Sequence, residues 1–149
     1  MARTFLATAL IALAAVMVWI RAAPSGPDWH VDPETEGRTG QGRWLVADGG
    51  NAPAMLIDAP PAEILDAIAA IARSEGAVPL VWRPEAGRAT FIHRSRVWGF
   101  PDYVSVKAVR EAGRTRLSAY SRLRFGASDF GVNRARLERW LGKLKVAVA

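Results

Sequence analysis

Cysteine is absent from the 149 residues. That excludes disulfides, Cys-ligated zinc, iron–sulfur clusters, thiol nucleophiles and a lipid anchor on cysteine. Histidine is nearly absent, with His30 and His93 the only two. A Ser–His catalytic arrangement would have to use one of them. No nucleophile-elbow spacing surrounds Ser95, Ser118, Ser121 or Ser128. His30-x-Asp32-x-Glu34 alternates ligand types, but three ligands in a proline-rich stretch are a weak metal signal. Paired carboxylates for glycoside chemistry would have to be Asp102 and Asp129, both better explained as partners of arginine. No catalytic residue, metal or cofactor is therefore expected, and a hydrolase is the weakest functional reading.

Lysine is also scarce: arginine supplies 17 of the 20 basic residues. Acids are scarce in the second half. From Phe91 to Ala149 there are 13 basic residues against 4 acidic ones, whereas Ser25 to Thr90 holds 5 arginines against 10 acids. Two arrangements produce such a split. The halves can neutralise each other by packing, or the basic half can face an anionic membrane, nucleic acid or an acidic partner.

One long apolar run is present. Phe5 to Ile20 is uncharged, with Arg3 before it and Arg21 after it. Sixteen helical residues span about 24 Å, a little short of a ~30 Å hydrocarbon core. Flanking arginines extend that reach by snorkelling, and Trp19 suits the headgroup boundary. A cleaved signal peptide shares this pattern, but its cleavage site would be poor. Cutting after Ala23 puts Arg21 three positions before the cut and Pro24 just beyond it. Residues 1–24 are thus expected to be an uncleaved anchor. Arg3 lies on one side, and Asp28, Asp32, Glu34 and Glu36 follow on the other. That asymmetry predicts a single-pass protein of the bacterial inner membrane, N-terminus cytoplasmic and the remainder periplasmic.

Residues 25–43, rich in proline and glycine, read as a linker, with His30 to Pro33 laid across the domain. Residues 44–149 read as one domain. Short strands are expected at Trp44–Ala47 and Ala54–Ile57. A helix follows, with Ile64, Leu65, Ile68, Ile71 and Ala72 on one face and Gly76 as its stop. Further strands are expected at Pro79–Trp82, Ala89–Trp98, Tyr103–Arg110 and Arg114–Phe125. Glu111-Ala112-Gly113 would turn the last two into a hairpin. The final helix is expected from Asn133, as its cap, to Val146. Leu137, Trp140, Leu141 and Leu144 would face the sheet, and Arg136, Arg139 and Lys143 would face out. The fold class is α+β: an antiparallel sheet packed with two helices, preceded by one transmembrane helix.

Two segments concentrate the polar chemistry, FIHRSRVWGFPDYVSV and YSRLRFGASDFGVNRARLERW. They resemble the DUF1499 family, whose function is unassigned. The matching residues are Arg94, Arg96, Phe100 and Asp102 upstream. Downstream they are Ser121, Arg122, Arg124, Gly126, Ser128, Asp129, Gly131, Asn133, Arg134 and Arg136. The phrase Trp29 to Pro33 is similar to a bacterial, membrane-anchored subgroup. Two departures are visible: Leu123 stands where many members carry serine, and a Cys-containing phrase near the start is missing. The resemblance implies no activity.

Arg94, Arg96, Asp102, Ser121, Arg122, Arg124, Ser128, Asp129, Asn133, Arg134 and Arg136 are the candidate polar cluster. Arg94 and Arg96 share one strand face by period two, as do Arg122 and Arg124. Four guanidiniums would meet if those strands approach. In one reading the arginines pair internally, with Arg94 or Arg96 bridging Asp102 or Asp129. In the other, a free helix N-terminus at Asn133 joins Arg122, Arg124, Arg134 and Arg136 to hold an anion. The partners implied are membrane lipid at the N-terminal helix, then anionic lipid headgroups, a small anionic ligand or an envelope protein. Nucleic acid is not expected. The leading functional reading is a membrane-anchored envelope protein, a non-catalytic structural or interaction module with a basic surface; the alternative is a binding domain for a small anionic ligand or lipid headgroup.

Overall fold

The computed structural model describes all 149 residues except the side chains of Ala2 and Arg3. The cytoplasmic flank assigned to Arg3 therefore lies outside the described residues. Helix α1 spans Ala2–Ala22. Its 21 residues, at 1.5 Å each, reach about 31 Å, enough to cross a hydrocarbon core. Phe5, Leu6, Ile11, Val18 and Trp19 are exposed along it. It is a candidate transmembrane helix, one turn longer than its apolar run.

Six strands form one antiparallel sheet: β1 (Arg43–Val46), β2 (Met55–Ile57), β3 (Val78–Arg83), β4 (Arg88–Arg94), β5 (Pro101–Glu111) and β6 (Arg114–Leu123). Their order is β1-β6-β5-β4-β3, and β2 pairs β6 further along the edge that β1 occupies. Ala112 (φ 47°) and Gly113 (φ 84°) make the two-residue turn between β5 and β6. Two successive positive φ values match the strand twist, which is why a glycine is needed there. Strand β4 stops at Arg94, four residues earlier than its composition suggests. Ser95 and the residues after it turn back, with the Gly99 amide donating to the Ser95 carbonyl at 3.0 Å.

Helices α2 (Pro61–Ser74) and α3 (Val132–Ala147) cover one sheet face. Period-two residues Ala89 and Phe91 on β4, Val104 and Val106 on β5, and Leu117 and Ala119 on β6 meet Ile64, Leu65, Ile68, Leu137, Trp140 and Leu144. Phe91 and Trp140 pack edge to face at 5.9 Å. The fold is α+β as expected.

The opposite sheet face carries Thr90, Tyr103, Ser105, Lys107, Ser118, Tyr120 and Arg122, and most of these are buried. The segment read as a linker provides the cover. Trp29 stacks on Tyr103 with ring centroids 4.2 Å apart, and His30 Nδ1 lies 2.8 Å from Thr90 Oγ1. Asp32 and Glu34 reach Lys107 at 2.8 and 2.7 Å, and Glu34 reaches Arg116 at 2.9 Å. The acidic first half thus meets the basic second half. Apart from one short helical turn at Pro27–Trp29, the segment is irregular, and side-chain contacts with the sheet hold it as a strap.

Candidate functional site

The polar cluster separates into two networks on opposite sheet faces. The first lies under α3. Positions 133, 136, 137, 140, 141 and 144 form its buried stripe. Arg136 was expected to face out, yet it is 2 % exposed. Its spacing from Asn133 and Trp140 already placed it on the inward stripe; its charge alone argued otherwise. Arg136 donates to Asp102 Oδ2 at 2.9 Å, Asn133 Oδ1 at 2.7 Å and Ser121 Oγ at 3.3 Å. It also donates to His93 Nδ1 at 3.2 Å. A guanidinium only donates and a carbonyl only accepts. His93 therefore keeps its proton on Nε2, which faces the Glu75 carbonyl at 3.1 Å. Burial and the Arg136 charge lower the His93 pKa, which favours the neutral ring that accepts from Arg136. Both ring nitrogens are engaged, and neither meets a serine. Burial raises the Asp102 pKa, and Arg136 opposes that rise.

Asp102 is thus bridged by Arg136, not by Arg94 or Arg96. Strand β5 lies between β4 and β6, so the four guanidiniums do not meet. Arg94 donates to the Gly99 carbonyl at 3.1 Å, and Arg96 is exposed on the turn. The N-terminus of α3 is not free either. Its cap is Gly131 (φ 81°), and Asn133 lies inside the helix. Asp129 accepts the amides of Gly131 at 3.1 Å and Asn133 at 2.7 Å. Burial alone would raise the Asp129 pKa, but these amides hold it below the usual value. A carboxylate already occupies the anion position expected there. Ser128 accepts the Phe130 amide at 3.3 Å, and Arg134 pairs with Glu138 at 2.8 Å one turn along α3.

The second network lies on the strap face. Arg122 is 6 % exposed. It donates to Ser105 Oγ at 3.2 Å and to the Trp29 carbonyl. Its guanidinium stands over the rings of Tyr120, Trp29 and Tyr103, at 4.9, 5.7 and 5.8 Å from their centroids. Among the described residues, no carboxylate forms an ion pair with it. Burial drags its pKa down to about 10. Arg43 sits directly opposite Arg122 across the β1–β6 pair. Like charges in that relation repel.

An open cleft of about 490 Å³ lies beside this pair. Arg38, Arg43, Arg122 and Arg124 line it, with Trp29 and Tyr120 as aromatic wall. Glu36 is the acid on its lining, and the Asp32 amide donates to that carboxylate at 2.8 Å. Arg124 donates to the Pro24 carbonyl at 2.7 Å and to Tyr103 Oη at 3.2 Å. Sequence reading missed Arg38, Arg43 and Trp29 as neighbours of Arg122, because only strap placement and strand pairing join them.

His30, Asp32 and Glu34 do not converge as ligands. Each is committed to the sheet, and among the described residues no group of three His, Cys, Asp or Glu could hold a metal.

A two-helix, six-strand α+β domain behind a candidate transmembrane helix is the class these observations define. Residues 34–144 match the profile of DUF1499, described as a protein of unknown function. The match covers more than half of the chain, and the chain belongs to the DUF1499 family. No curated protein matches the sequence.

Proposed function

We propose that this protein is a membrane-anchored envelope module without a catalytic centre, and that its arginine-lined cleft takes up an anionic group. The N-terminus lies in the cytoplasm and the domain on the periplasmic face of the bacterial inner membrane, following the flanking charges. The observation that carries the reading is Arg122, a buried guanidinium without a carboxylate, facing Arg43 in register beside an open cleft. Isolated buried charge is costly, and a guanidinium fork suits phosphate or carboxylate. The aromatic wall would cover an apolar part of the same ligand or a lipid glycerol backbone. The Arg136 network, saturated by Asp102, Asn133 and Ser121, serves the fold.

Thermal unfolding of the full chain in phosphatidylcholine nanodiscs tests this. Inorganic phosphate, or phosphatidylglycerol added to the disc, is expected to raise Tm by a few degrees through preferential binding to the folded state. The rise should disappear in Arg43→Gln with Arg124→Gln. An unchanged Tm with both anions would overturn the anion reading.

A further inference from the structure

The last turn of α1 is clamped to one end of the domain. Arg21 donates to the Val97 carbonyl at 2.6 Å. Its side chain lies on Gly99 (φ 74°), where an added Cβ would come within 2.5 Å of Arg21 Cγ. Trp19 packs on Phe125 at 5.8 Å, Phe125 on Phe100 at 6.2 Å, and Phe100 on Trp98 at 6.2 Å. An aromatic chain thus runs from the anchor into the 95–100 turn. The loop from β6 to α3 starts from the same end.

Both loops expose large apolar side chains at their tips. Val97 is 66 % exposed, Trp98 38 % and Phe130 97 %. Phe130 also holds φ at 51°, a backbone state that glycine or asparagine adopts more cheaply. Its ring is almost fully exposed, so it adds no core stability. Arg96 stands exposed beside Val97. Apolar tips edged by arginine suit the boundary between acyl chains and headgroups.

Geometry supplies the occupant. If α1 crosses a bilayer, Arg21 marks the headgroup level, and the turn that grips Arg21 lies at that level too. We infer that Val97, Trp98 and Phe130 insert into the interfacial zone of the bilayer that α1 spans, so that the domain rests on the membrane by two loop tips. This inference rests on the membrane anchoring proposed above and not on the occupant of the cleft.

The absence of cysteine makes a clean test. Val97→Cys, Phe130→Cys, Glu85→Cys and Val16→Cys would each be introduced singly into the full chain. Each would be spin-labelled and reconstituted in nanodiscs containing phosphatidylglycerol. Glu85 lies in the short helical turn Pro84–Ala86, towards the opposite end of the sheet. Val16 lies within α1. Collision with a polar nickel chelate is expected to be several-fold lower at positions 97 and 130 than at 85, with oxygen accessibility raised. Equal accessibility at 97, 130 and 85, with position 16 embedded, would overturn the docking. A water-exposed label at position 16 would overturn both the anchoring and the docking. Far-UV circular dichroism checks each fold, which matters little for side chains this exposed.

Discussion

At the scale of single residues, the two buried arginines behave differently. Arg136 is compensated by Asp102 within the protein, whereas Arg122 is held by neutral groups and ring faces. Removing one partner of a buried pair leaves an uncompensated charge. Asp102→Ala should therefore lower unfolding stability by about 3–5 kcal/mol in urea titration. Replacing the pair together, as Asp102→Leu with Arg136→Met, should recover much of that loss. Persistence of the full loss in the double variant would show that packing around Ser121 and Asn133, not the charge, dominates. Arg136 was legible as inward from its spacing with Asn133, Leu137 and Trp140. Its partner was not, because Asp102 reaches it only through the register of β5 beside β6.

At the scale of elements, the strap over residues 25–36 is the part whose attachment titrates. The His30 pKa is lowered below 6.5 by burial first and then by the Arg88, Arg83 and Arg122 charges. The unfolded chain binds that proton at higher pH than the folded one. The contribution of His30 is complete above pH 6.5 and falls as the pH drops through the lowered folded value. Glu34 loses water on burial, which alone would raise its pKa, but Lys107, Arg116 and Ser118 hold it at about 2. Its contribution is present above about 4.5 and fades as the pH falls towards 2. Amide protection in the strap, corrected for the intrinsic pH dependence of exchange, should fall first as the pH drops below 6.5, before the sheet core opens. His30→Gln should flatten that first step and leave the carboxylate step in place. A strap whose exchange follows the sheet at every pH would contradict this order.

At the scale of the whole molecule, the strap contacts predict that the cooperative unit begins before Trp29. A chain starting at Ser25 retains Trp29, His30, Asp32 and Glu34. One starting at Arg38 loses all four and uncovers Tyr103, Lys107 and Arg122. The first is expected to unfold as one cooperative unit, with a Tm close to that of the full chain. The second should melt several degrees lower and expose apolar surface to a hydrophobic dye. Equal melting of both would return residues 25–37 to the status of a linker. The charge asymmetry between the halves is explained at this scale as well. Asp32 and Glu34 meet Lys107 and Arg116, and Glu75 meets Arg139 and Lys143. Burial alone would raise the Glu75 pKa, but these cations and Trp140 hold it at about 2.

Local patterning carried much of the architecture. The apolar run at residues 5–20, the alternation through β5 and β6, the Ala112-Gly113 turn and the 3–4 spacing of α2 and α3 are properties of short stretches. Hydrogen-bonding period and side-chain direction follow from those stretches alone. Tertiary structure decided which charges meet. It turned Arg136 to Asp102 and set Arg43 against Arg122 under a proline-rich strap. Those outcomes depend on strand order and on residues some 35 to 95 positions apart in sequence. Composition and periodicity carry no record of such distances; only the folded sheet brings them within hydrogen-bond range.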